Sequence, residues 1–145
     1  MNEIQFKLRT LLRGEVIKMD GLEFRECAFV EVMVDGENFL ENEWYEGSLP
    51  VYKELLASGE GGGRYLLFTC ACGIADDAGW ECVEVRHEGD YIKWSLGAEP
   101  GLSYRFDRAI YLRELKTLAA EVDSLEPSFT LEPSQVMFPE SEQSC

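Results

Sequence analysis

Near the start of the chain Ile4, Phe6 and Leu8 alternate with polar residues, the two-residue period of a strand with one wet face. Residues 15–19 extend this to a short second strand, ended by the turn pair Asp20-Gly21. The clearest alternation follows between Phe24 and Val34, where Ala28, Val30, Val32 and Val34 share one parity. Asp35-Gly36 closes that run as a hairpin or tight-turn pair.

The period then changes. Ser48 is placed to cap a helix, because Pro50 is tolerated in a first helical turn and Val51, Leu55 and Leu56 recur at helical spacing. The pattern predicts a short helix ending near Ser58, then a glycine-rich connection from Gly59 to Gly63. Residues 65–72 are too continuously apolar to have a solvated face and predict one buried strand. Residues 80–87 and 91–96 predict a hairpin around Glu88-Gly89-Asp90, with Val83 and Val85 meeting Ile92 and Trp94 across it.

Asp107 is placed to cap the longest helix, whose stripe of Tyr111, Leu115, Leu118, Val122 and Leu125 runs until Pro127. Beyond Glu126 prolines, serines and acids predominate and no basic residue occurs, the composition of a mobile tail. Phe129, Leu131, Val136, Met137 and Phe138 within it are able to dock back on the domain or on a partner. The pattern predicts an α+β domain over residues 1–126 and a tail over 127–145. The domain has an antiparallel or mixed sheet of about five to seven strands. Of its two helices, the longer C-terminal one packs on one sheet face.

At 145 residues, 46% of them apolar, the chain suits one domain with one core. Its charge narrows the functional classes. Thirteen Lys and Arg against 28 Asp and Glu leave a net charge of −15, which disfavours nucleic acid and anionic membranes as partners and favours a basic protein. No apolar stretch reaches the ~20 residues of a membrane span, nor does the N-terminus carry a signal-peptide core, so the expected location is cytoplasmic. Five cysteines without regular spacing (Cys27, Cys70, Cys72, Cys82, Cys145) predict reduced thiols.

Candidate chemistry is sparse. Cys70, Cys72, Cys82 and His87 could supply four zinc ligands, but a C-x-C pair in an extended strand separates its sulfurs unless Gly73 kinks it. In a regular strand Cys82 and His87 also point to opposite faces, so buried thiols are favoured over a metal. A cysteine nucleophile with His87 and an orienting Asp76 or Asp77 lacks any local signature. Gly59 to Arg64 lacks the Lys-Ser/Thr pair of a phosphate loop and precedes a strand. The reading is a non-enzymatic chain needing no cofactor.

Residues 31–47 are more informative, combining acids and aromatics with no Lys or Arg. Asp35, Glu37, Glu41, Glu43 and Glu46 would meet a partner's cations, while Phe39, Trp44 and Tyr45 would carry binding energy. The competing reading puts Phe39 and Trp44 in the core.

Thr69-Cys70-Ala71-Cys72-Gly73, then Ala78-Gly79, the Val83-Glu84-Val85 strand and Trp94, resemble a group of small bacterial proteins of unassigned activity. Their shared core is T-C-x-C-G, a Cys-Ala-Gly turn and a hairpin ending in Trp. Asp77 stands where that pattern has a third cysteine, which weakens any inherited metal site. In type, the small, acidic, motif-poor chain is similar to immunity proteins of bacterial toxin systems, including contact-dependent inhibition. That resemblance implies a protein-binding inhibitor of a basic toxin. The alternatives are an acidic nucleic-acid mimic and a zinc-binding accessory domain using Cys70, Cys72 and Cys82.

Overall fold

The structure is a computed structural model that describes residues 1–11, 17–19, 22–24, 27–41, 47–73, 75, 80–97 and 101–138. The first half contains β1 (Ile4–Thr10), β2 (Ile17–Met19), β3 (Leu22–Phe24), β4 (Cys27–Val34), β5 (Glu37–Asn38), β6 (Ser48–Pro50) and α1 (Tyr52–Ser58). The second contains β7 (Gly63–Tyr65), β8 (Phe68–Cys70), β9 (Val83–Glu88), β10 (Tyr91–Leu96), β11 (Leu102–Asp107), α2 (Arg108–Asp123) and β12 (Thr130–Glu132). The chain is α+β with two helices, as the periodicities predict. Its twelve described strands exceed the expected five to seven, because several are two- or three-residue pairings too short to leave a period.

Two sheets dominate. One has the order β1-β4-β12, with β5 also on β4, and the other the order β11-β10-β9-β7; β2-β3 and β6-β8 are separate ribbons. β1 and β4 are antiparallel from the Ile4/Val34 pair to the Thr10/Ala28 pair, and their alternation is the expected one. Ile4 and Phe6 are buried between exposed Gln5 and Lys7. On β4 Ala28, Val30, Val32 and Val34 are buried, and Cys27 and Phe29 on the opposite parity join a smaller cluster with Leu11, Leu49 and Ala71. A parallel bridge from Asn2 to Phe106 ties the β1 sheet to the edge of the β11 sheet.

α2 packs against β1, β10 and β11 and buries Tyr111, Leu115 and Leu118. Its start is fixed as the sequence predicts, Asp107 Oδ1 accepting from the Ile110 amide at 3.0 Å. Beneath it lies an aromatic core. Trp94 meets Phe106 at 4.8 Å and Phe68 at 5.9 Å edge to face, and Phe6 meets Tyr111 at 5.3 Å. Each such pair adds about 0.5–1.5 kcal/mol to the burial of its rings.

Several expectations are corrected. The apolar run over residues 65–72 is two strands in different sheets, because Leu66 and Leu67 turn between them while remaining fully buried. Full burial hides the break, since apolar residues are required on both sides of it. Ser48 does not cap α1: it lies in β6 and its hydroxyl accepts the Trp80 indole N–H at 2.7 Å. The residue before α1 is Val51, without a side-chain cap.

Part of the segment expected to be a mobile tail is paired with the first sheet. β12 runs parallel to β4, Thr130 opposite Cys27 and Glu132 opposite Phe29. Further along, the Met137 amide donates to Gly73 O at 2.7 Å and the Ala75 amide donates to Met137 O at 3.0 Å. Gly73 permits this approach. At φ +91°, a Cβ there would stand 1.8 Å from Gln135 O. Among the described residues no helix is long and apolar enough to cross a membrane.

Candidate protein-binding groove

An acidic surface grows out of the Asp35-Gly36 turn. β4 and β5 pair through Val34 and Glu37, leaving a two-residue hairpin loop. Both loop residues have positive φ, +53° at Asp35 and +82° at Gly36, the twist that suits a tight hairpin. Aspartate is among the few side-chain-bearing residues that adopt this conformation readily.

In that position Asp35 grips the N-terminal segment. Its Oδ1 accepts from the Glu3 amide at 2.8 Å, its Oδ2 accepts from Asn2 Nδ2 at 2.8 Å, and its own amide donates to Glu3 O at 2.9 Å. Asn2 passes the connection on, donating its amide to Arg105 O at 2.7 Å and accepting the Arg105 amide on Oδ1 at 3.0 Å. The Asn2 and Glu3 hydrogen bonds, helped by the chain's amino group, hold the Asp35 carboxyl below the usual range against a small opposing effect of burial.

This clasp forms one side of a groove of about 370 Å³ that runs between β1, the hairpin and the start of α2. Met1, Met33 and Ile110 give it apolar surface, and Glu3, Asp107 and Glu114 give it acidic surface; among the described residues no Lys or Arg lines it. Met1 and Ile110 are exposed, at 75% and 38%. Apolar side chains ringed by carboxylates, on elements fixed by backbone hydrogen bonds, can take an apolar anchor flanked by Lys or Arg.

The residues selected from sequence divide. Asp35 and Glu37 are exposed beside this groove, and Glu41 is exposed beyond it. Phe39 is withdrawn from any interface. Its amide donates to Val32 O at 2.8 Å, and its ring, 8% exposed, stacks on Phe68 at 4.9 Å. The pairing of Met33 with Asn38 sets Phe39 beside Val32 on the buried face, so the core reading holds for this residue. Glu43, Trp44, Tyr45 and Glu46 lie outside the described residues. Met1, Ile110 and Glu114 carry no local sequence signal for the groove, whereas parity turns Met33 away from the buried Val32 and Val34.

The sulfur and histidine candidates are spread over different surroundings. Cys70 is buried in β8 and Cys72 is exposed in the following turn. His87 Nε2 lies 2.7 Å from Ser58 O at the end of α1. Cys27, Cys70 and Cys72 are thiols, whereas Cys82 is disulfide-bonded, its partner outside the described residues. That bond corrects the expectation of thiols throughout, because spacing alone cannot pair cysteines. No three His, Cys, Asp or Glu among the described residues are grouped to hold a metal. Compared with protein-family models, curated proteins and solved structures, the chain matches none.

Proposed function

We propose that this chain is a protein-binding inhibitor of the immunity type, which neutralises a basic partner by direct contact. The observation that supports this reading is the groove itself, in which Met1, Met33 and Ile110 lie among Glu3, Asp107 and Glu114 with no basic side chain among the described residues. A net charge of −15 steers a basic protein toward the surface, and the apolar floor supplies the short-range contact that charge alone does not. Asp35 contributes by fixing the N-terminal segment, which leaves Glu37 and Glu41 as peripheral charges.

The test is capture from the native host by wild-type protein and by Ile110→Asp and Glu114→Lys, followed by assay of each captured protein with the chain added. The reading requires a basic protein that wild type retains and both variants lose, and whose activity wild type blocks. Equal capture by all three, or a captured protein whose activity is unaffected, sinks it.

A further inference from the structure

A second cavity, of about 460 Å³, opens on another part of the molecule, between the start of α1 and the docked C-terminal segment. Val51, Tyr52 and Glu54 form one wall, and Leu131, Val136 and Phe138 form the other. Its volume is that of pockets that enclose small organic molecules, and its walls are mostly apolar.

Its charged groups are unevenly matched. Glu54 is half-buried; one oxygen, Oε1, accepts from the Leu66 amide at 3.1 Å, and no basic side chain among the described residues forms an ion pair with it. Burial raises its carboxyl, with the Leu66 hydrogen bond opposing. A carboxylate partly removed from water gains from a nearby cation. Glu132, also lining the cavity, spends Oε2 on the Ser134 amide at 3.3 Å. Lys53 is the one basic residue among the described lining residues, and it is exposed. Tyr52 and Phe138 add aromatic faces, which attract cations.

We propose that this cavity binds a small amphipathic organic cation, an ammonium group on an apolar body, with Glu54 as its counter-ion. The apolar body lies against Val51, Leu131 and Val136, and the aromatic faces of Tyr52 and Phe138 flank the ammonium. An anion of the same shape meets Glu54 and Glu132 and is repelled. Because one wall is the β12 segment, ligand binding also holds that segment against α1.

The test uses the full chain and two probes of matched shape, 4-phenylbutylammonium and 4-phenylbutanoate, followed by amide chemical shifts. The ammonium should give saturable shifts at residues 51–54 and 131–136, and the carboxylate should bind about tenfold more weakly or worse. Glu54→Gln keeps an acceptor for the Leu66 amide and should weaken the ammonium about tenfold with the thermal midpoint unchanged. Equal binding of the two probes, unaltered ammonium binding in Glu54→Gln, or no saturation up to about 10 mM overturns the proposal. Should Glu54→Gln fail to fold, Leu131→Trp fills the cavity from the strand side. Retained ammonium shifts in that variant place binding elsewhere and overturn it equally.

Discussion

The hydroxyls of Ser58 at the end of α1 and Tyr111 in α2 are 2.6 Å apart, both buried, and 53 residues apart in sequence. Ser58 Oγ also donates to Leu55 O at 2.6 Å, and Trp94 Nε1 donates to Tyr111 Oη at 3.2 Å. Donor counting then gives one direction: indole to phenol, phenol to Ser58, Ser58 to the helix carbonyl. Both helices and β10 are joined by this chain of hydrogen bonds.

Burial pushes the Tyr111 phenol up to about 12, opposed by the Ser58 and Trp94 hydrogen bonds. In the unfolded chain it ionises near 10, so the neutral phenol stabilises the fold fully below that pH. The contribution, about 3 kcal/mol, is lost as pH rises from the unfolded value through the folded one. Urea unfolding should therefore show an alkaline loss that is shallower in Tyr111→Phe, which keeps the raised phenols of Tyr52 and Tyr91. At neutral pH that variant should be about 1–3 kcal/mol less stable, because the Trp94 indole loses its acceptor. An unchanged alkaline slope in Tyr111→Phe would place the titrating group elsewhere.

Thr69 is fully buried, and its hydroxyl has no hydrogen-bond partner among the described residues. Thr69→Val replaces that hydroxyl with a methyl of similar size and should raise stability by about 1 kcal/mol. Denaturant midpoints with an unchanged slope provide the measurement; a destabilised variant would show that the hydroxyl is satisfied in solution.

Gly73→Ala places a methyl where Gln135 O stands and imposes a positive φ on a residue with a side chain. The expected cost is about 1–3 kcal/mol, with faster hydrogen exchange at the Ala75 and Met137 amides as the C-terminal segment detaches. Unchanged protection of those amides would mean that the two backbones separate without loss.

Asp35→Asn removes the charge that holds Asn2 and the Glu3 amide. The lowered carboxyl stabilises the fold above the unfolded aspartate range, and that contribution disappears as pH falls through the folded value. Wild type and variant should thus differ at neutral pH and converge in acid, with exchange at Asn2, Glu3 and Arg105 faster in the variant only above the transition. A pH-independent difference would assign the effect to shape rather than charge.

What could be read in advance had a local cause. Ile4, Phe6 and Leu8, the even positions of β4, the Asp35-Gly36 turn and the Asp107 cap follow from backbone period or from one side chain's reach. The Leu66-Leu67 break left no pattern because both residues are buried, and Ser48 is claimed by an indole 32 residues away. The groove was harder still: residues 1–5, Met33, Gly36, Asp107, Ile110 and Glu114 meet through the β1-β4 pairing, the Asp35 clasp, the packing of α2 on β1 and the bridge from Asn2 to Phe106. Charge identified acid near Asp35, while the apolar half of the surface came from segments distant in sequence.

The parallel pairing of β12 with β4 carries a consequence for biosynthesis. Residues 27–29 of β4 are buried, and their outer neighbour among the described residues is residues 130–132. A ribosome adding about 5–20 residues each second needs roughly 5–20 s to make the intervening chain. Throughout that interval the nascent β4 presents an apolar, unpaired edge, the kind of template on which strands from other chains assemble. Rapid folding of the β1-β4 hairpin therefore leaves that edge open until β12 pairs with it.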